Sequence, residues 1–112
     1  KKKISLIENK QSIKTIMIIY SVEICLKKEI AQEWLMWMKS EHIPDVMNTD
    51  LFRRFKMFQN IGVENTYTIQ YELNSMEEYQ TYEKEFASNL QKEHRDKFKG
   101  KFKAKRRLLK NI

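Results

Sequence analysis

The chain contains two histidines, His42 and His94, and each directly follows a glutamate, Glu41 and Glu93. An imidazole beside a carboxylate titrates near neutral pH and can give or take a proton, which makes His42 and His94 the candidate catalytic acid/base residues. The plainer account is that both lie near helix C-termini, where a histidine suits the helix dipole and packs its ring at the core margin. Other reactive chemistry is scarce. With one cysteine, Cys25, the sequence has neither an internal disulfide nor a four-thiolate zinc site, and Cys25 reads as a small strand residue. Two histidines with scattered carboxylates form no recognised ligand spacing, so no metal and no cofactor are expected. With only Gly62 and Gly100 in the chain, glycine-rich phosphate loops are excluded, and there is no GxSxG nucleophile motif.

The histidines must be placed by the elements around them. From Ile16 the chain alternates, with Ile16, Ile18, Tyr20, Val22, Ile24 and Leu26 in phase, which predicts a first strand with one wholly apolar face. Ile30, Trp34, Trp37 and Met38 follow at helical spacing and predict a helix over 28–42, broken or restarted at Pro44. Leu51 to Phe58 predicts a second strand ended by Asn60-Ile61-Gly62, and Thr66 to Leu73 a third with Tyr67, Ile69, Tyr71 and Leu73 on one face. Ser75-Met76-Glu77-Glu78 is a capping box that starts a second helix. Tyr79, Tyr82, Phe86, Leu90, His94 and Phe98 carry that helix through about Lys97, with Gly100 as its C-terminal cap. Lys101 to Leu109 alternates weakly as a lysine-rich, edge-like fourth strand. The tryptophan and methionine stripe of the first helix reads mainly as core, with Trp37 kept as a candidate pocket residue.

The order β-α-β-β-α-β predicts an α+β, ferredoxin-like fold: a four-stranded antiparallel sheet with two helices on one face. The open sheet face then carries Ser21, Glu23, Thr68, Gln70 and Glu72. Such a mixed face is either wet or closed against the same face of a second copy, and a homodimer through the sheet face is expected. Glu23, Gln70 and Glu72, with Trp37, are the candidate ligand-binding residues, since carboxylates lining a closed barrel have shifted pKa values and can hold a small molecule. In an approximately twofold-related fold, His42 and His94 would sit at the same end of the helix layer.

At 112 residues the chain fits one domain. Its longest apolar run, Ile16 to Tyr20, is far short of a membrane span, and no signal-peptide cleavage pattern follows, so a cytoplasmic location without membrane association is expected. The net charge of +7 is unevenly spread. Residues 1–14 hold five lysines and one glutamate, and residues 95–112 hold nine basic residues and one aspartate, whereas residues 15–94 hold eight basic against thirteen acidic residues. The basic C-terminal strand raises nucleic-acid association as an alternative function, but only Phe98 and Phe102 interleave it and no RNA-binding motif appears.

Four segments, MIIYSVEI (17–24), EWLMWMKSEHIPDVM (33–47), YTIQYELNSMEEYQTYE (67–83) and LQKEHRDKF (90–98), resemble a family of small uncharacterised bacterial proteins of the dimeric α+β barrel class. That resemblance covers about residues 17–110. It implies that Met17 is similar to the family's start, so that residues 1–16 form an extension, expected to be disordered or a start-site artefact, before a single domain over 17–112. It implies a dimer but names no activity. Relatives of the same class include cofactor-free monooxygenases, isomerases and heme-handling enzymes, so a cofactor-independent enzyme using His42 or His94 is the alternative to a small-molecule binding protein.

Overall fold

A computed structural model of the protein describes residues 15–112; most of the expected N-terminal extension lies outside the described residues. Four strands, β1 (Ile18–Leu26), β2 (Arg54–Gln59), β3 (Thr66–Leu73) and β4 (Phe102–Lys110), form one sheet in the order β2-β3-β1-β4, with every pairing antiparallel. Two helices cover one face. The first, α1, runs over 31–47 after a short 3-10 turn at Lys28–Ile30, and the second, α2, over 76–97. The architecture is the ferredoxin-like α+β fold read from the sequence. No helix among the described residues is long and apolar enough to cross a membrane.

Alternation places Ile18, Tyr20, Ile24 and Leu26 of β1 and Ile69, Tyr71 and Leu73 of β3 under the helices, all buried. Trp34, Trp37, Met38, Ile43 and Val46 descend onto them from α1, and Tyr82, Leu90 and His94 from α2, making one core. Burial of that apolar surface is the main stabilising term of the domain.

Start and stop signals are local. Ser75 Oγ accepts the Glu78 N–H at 3.2 Å, and the Glu78 carboxylate accepts the N–H of Asn74 at 2.8 Å, one residue further back than in a standard capping box. Gly100, at φ 73°, takes the left-handed conformation that turns the chain from α2 into β4. Asn111 ties the end of β4 to the start of its neighbour β1: it accepts from the Met17 N–H at 3.0 Å and donates to the Thr15 carbonyl at 2.7 Å.

Pro44 does not break α1, contrary to the sequence expectation. The helix passes through it to Met47, because the preceding turn, Met38–His42, widens to a π-turn in which the Ile43 N–H reaches the carbonyl of Met38. The wider turn makes room for the pyrrolidine ring, which in a regular α-helix meets the carbonyl four residues back. Strand two also starts later than expected, at Arg54: Asp50, at φ 63°, turns the chain, and Leu51 and Phe52 drop toward the core with Phe52 buried.

A second π-turn, Glu83–Ala87, interrupts α2. Each π-turn inserts about one residue into the helical count. Trp34 and His42 are eight residues apart but behave as about seven, close to two turns, and Tyr82 and His94 are twelve apart but behave as about eleven, close to three turns. The two π-turns therefore bring both histidines onto the core-facing side of their helices.

Candidate functional site between sheet and helices

His42, at the end of the π-turn in α1, and His94, in the last turns of α2, meet edge-to-face with ring centroids 5.7 Å apart. The His42 ring stacks on Trp37 at 4.9 Å. His94 is buried, its ring edge-on to Phe102 at 4.1 Å and to Trp37 at 5.7 Å. Trp34 donates its indole N–H to His94 Nε2 at 2.8 Å. That bond requires an unprotonated Nε2, so His94 is the neutral tautomer with its proton on Nδ1.

Burial sets the charge state of both rings. Desolvation lowers the His42 pKa to about 4, opposed by the carboxylate of Asp45 and reinforced by Arg106. Desolvation first, then the neighbouring His42 and Arg106, lowers the His94 pKa to about 3. At neutral pH the pair is uncharged, which removes the imidazolium as a working form at that pH and leaves two polar but neutral rings. His42 Nδ1 is buried with no hydrogen-bond partner among the described residues.

The histidines line a cavity of about 30 Å³ between the sheet and the helices. Tyr20 of β1, Tyr71 of β3 and Tyr82 of α2 form its other polar wall, with Gln91 and Arg106 beside them. The rings of Tyr20 and Tyr71 lie 6.0 Å apart and those of Tyr20 and Tyr82 5.6 Å apart. Burial pushes all three phenols above their ordinary pKa, so they are neutral hydrogen-bonding hydroxyls; for Tyr20 the charge and hydrogen bonding of Arg106 partly oppose this. A space of this size holds a water molecule or a group of similar bulk.

The structure thus brings together His42, His94 and Trp37, and separates them from Glu23, Gln70 and Glu72, which face the open side of the sheet. There Glu23 accepts from Asn60 Nδ2 at 2.9 Å, and Asn60 Oδ1 accepts from Thr68 Oγ1 at 2.7 Å. Glu72 is paired with Arg54 at 3.2 Å and lies 3.8 Å from Arg53. Gln70 and Glu72 border a cleft of about 540 Å³ with Arg53, Arg54 and Lys56. Within one chain both carboxylates have partners, and the candidate ligand-binding residues lie in two places, Trp37 under the helices and Glu23, Gln70 and Glu72 on the open sheet face. Among the described residues no cluster of three or more His, Cys, Asp or Glu is arranged to hold a metal.

Sequence reading missed Trp34, Tyr20, Tyr71, Tyr82, Gln91 and Arg106 as site residues. Tyr20 and Tyr71 are direct cross-strand partners, and Arg106 pairs with Val22, so all three face the helices by register. The signal for the histidines was present in the run Ile30, Trp34, Met38, His42, Val46, spaced by fours. Steps of four drift by about 40° each on a regular α-helix, and a π-turn resets that drift.

The sequence model of a domain of unknown function, DUF4286, matches residues 17–112. A comparison with curated proteins finds no match. Solved structures that share the fold at low identity include the following three. A protein of Nitrosomonas europaea, provisionally assigned as an antibiotic biosynthesis monooxygenase, is similar with a TM-score of 0.68 at 10% identity, over 89% of this chain and 94% of its own. A conserved protein of unknown function from Bacteroides thetaiotaomicron has a TM-score of 0.67 at 11% identity, over 88% and 100%. A dimeric ferredoxin-like protein from an uncultured marine organism has a TM-score of 0.66 at 15% identity, over 86% and 94%.

Proposed function

Because the chain belongs to the DUF4286 family, a domain of unknown function, we propose from its geometry that it is a homodimer binding a small polar molecule in the cavity around His42 and His94. The observation that carries this reading is the buried, unpartnered Nδ1 of His42. A buried polar atom without a partner costs about 1–3 kcal/mol, and in a native structure it marks a place where a partner belongs. The cavity beside it is lined by three neutral phenol hydroxyls and a second neutral imidazole. Arg106, the one charged residue in its lining, disfavours a cationic ligand, so the group that enters is a hydroxyl or an acid oxygen rather than an amine.

Methanol, close to water in bulk, is the simplest probe. Its titration, followed through the imidazole resonances of His42 and His94, is expected to shift both rings, and rings unperturbed up to molar methanol would refute the cavity as a binding site.

The tautomer of His94 favours a second reading, a cofactor-independent enzyme. With Nε2 engaged by Trp34, Nδ1–H is left to donate to an oxygen that gains negative charge during reaction, and the neutral His42 ring beside it offers Nδ1 as a second hydrogen-bonding position. Neutral imidazole acting through its N–H is an established way to polarise a substrate oxygen. The provisional assignment of the Nitrosomonas neighbour gives oxygenation as a first reaction class to assay. Turnover unchanged in His42→Ala and His94→Ala would count against this role.

The dimer places two open sheet faces together. On that face Ile19 of β1 sits directly opposite Leu109 of β4, an apolar pair with Leu109 well exposed, and Phe58 of β2 is exposed at the other edge. These supply the apolar contact. Arg54, Lys56, Lys103, Lys105 and Arg107 share the face with only Glu23 and Glu72, so its polar part is predominantly basic.

A further inference from the structure

Arg106 lines two spaces at once. It borders the cavity of the histidines, and it also borders a surface groove of about 310 Å³ between the end of α2 and β4, together with Arg95, Lys99, Gly100, Phe102 and Ala104. Phe102, in the groove lining, packs its ring on His94 at 4.1 Å, so the groove and the cavity share a wall. Three of the six lining residues are cationic and none is acidic. Neither Arg95, Lys99 nor Arg106 takes part in an ion pair among the described residues, whereas Lys92, Lys97 and Lys101 nearby each have a carboxylate partner.

The geometry points to a bipartite ligand whose carboxylate or phosphate group is held by Arg95, Lys99 and Arg106 in this groove, while its uncharged polar end reaches the His42–His94 cavity past Arg106. The inference rests on the cavity reading above and extends it by naming the ligand's charge. Two guanidinium groups suit a planar or tetrahedral oxyanion, since each can present parallel N–H donors. Strand alternation supports a compact anion rather than a nucleic acid. It sends Arg106 to the helix side of β4 and Lys103, Lys105 and Arg107 to the opposite face, so the basic residues of the strand do not form one continuous track.

2-Hydroxyethyl phosphate, methanol and inorganic phosphate, titrated against the full chain by amide and imidazole NMR, test this. 2-Hydroxyethyl phosphate is expected to shift the backbone amides of Arg95, Lys99 and Phe102 together with the His42 and His94 rings, and phosphate the amides alone. Arg95→Gln with Lys99→Gln should weaken 2-hydroxyethyl phosphate by roughly tenfold, because two charge-assisted contacts are lost. Lys103→Gln with Lys105→Gln removes the same charge from the other face and should change it by less than about twofold, since separated surface charges are screened. Equal weakening in the two double variants would overturn the proposal in favour of diffuse attraction. So would tighter binding of a single-stranded oligonucleotide that depends on Lys103, Lys105 and Arg107. If methanol moves the histidines while neither phosphate compound moves the groove, this inference fails and the cavity reading stands. If no probe moves the histidines, the cavity reading itself fails and the bipartite ligand with it.

Discussion

The indole N–H of Trp34 is bonded to Nε2 of His94 across the core, 2.8 Å apart and 60 residues apart in sequence. It joins α1 to α2 at the level of the cavity and selects one tautomer of a buried histidine. Trp34→Phe keeps most of the apolar bulk but removes the donor, leaving Nε2 without a partner. The expected results are a loss of about 1–3 kcal/mol in denaturant unfolding and a mixture of the two neutral His94 tautomers in the imidazole nitrogen shifts. A His94 ring that stays wholly in the Nδ1–H tautomer would show that the bond does not select it.

Both histidines have folded-state pKa values, about 4 and about 3, below the ordinary 6.5. In the window between those values the unfolded chain binds more protons than the folded one, so stability falls as pH drops through 6.5 toward 4 and is level above about 7. Each histidine should remove on the order of 1–2 kcal/mol between pH 7 and pH 5, after allowing for the partial exposure of His42. Unfolding free energies measured across that range check it. Replacing both histidines with phenylalanine should flatten the slope.

The π-turn in α2 leads to a prediction about deletions. Removing Lys84, an exposed residue within Glu83–Ala87, converts the wide turn to a regular one and keeps Tyr82 and His94 on the same face. Removing Lys92, in the regular α-helical part, rotates His94 and Phe98 by about 100° relative to Tyr82. Thermal melts should therefore show a mild loss for the first deletion and a severe loss, or no folding, for the second.

The open sheet face carries the proposed dimer. Leu109→Lys puts a further cation into the apolar pair with Ile19 on this basic face and should shift the mass in light scattering from dimer to monomer. Because basic groups outnumber acidic ones on that face, the wild-type dimer should tighten as ionic strength rises from low to physiological, the opposite of an association driven by opposite charges.

Much of the fold was legible in the sequence because alternation and helical spacing report directly on which side of an element is buried. Thr66–Leu73 and the Ser75 start of α2 were read to the residue. The meeting of His42 and His94 at one end of the helix layer followed from fold symmetry. Pro44 was misread because the rule for proline in a regular helix does not account for a π-turn placed just before it. Arg106 was hidden for another reason: in the run Lys101 to Leu109 nearly every position is basic or apolar, and only strand register decides that Arg106 faces the cavity while Arg107 faces away. Glu23, Gln70 and Glu72 were correctly placed together on one face, but their partners Asn60 and Arg54 come from β2 and its end, whose pairing the local pattern does not encode.

His42→Phe separates a binding site from ordinary packing most directly. Phenylalanine preserves the stacking position on Trp37 and removes the buried, unpartnered Nδ1. Measured together, the unfolding free energy at pH 7 should be equal to or higher than wild type, while the methanol-induced shift of the His94 ring should be lost. A variant that is destabilised yet binds methanol as tightly as wild type would contradict the assignment of this cavity as the ligand site.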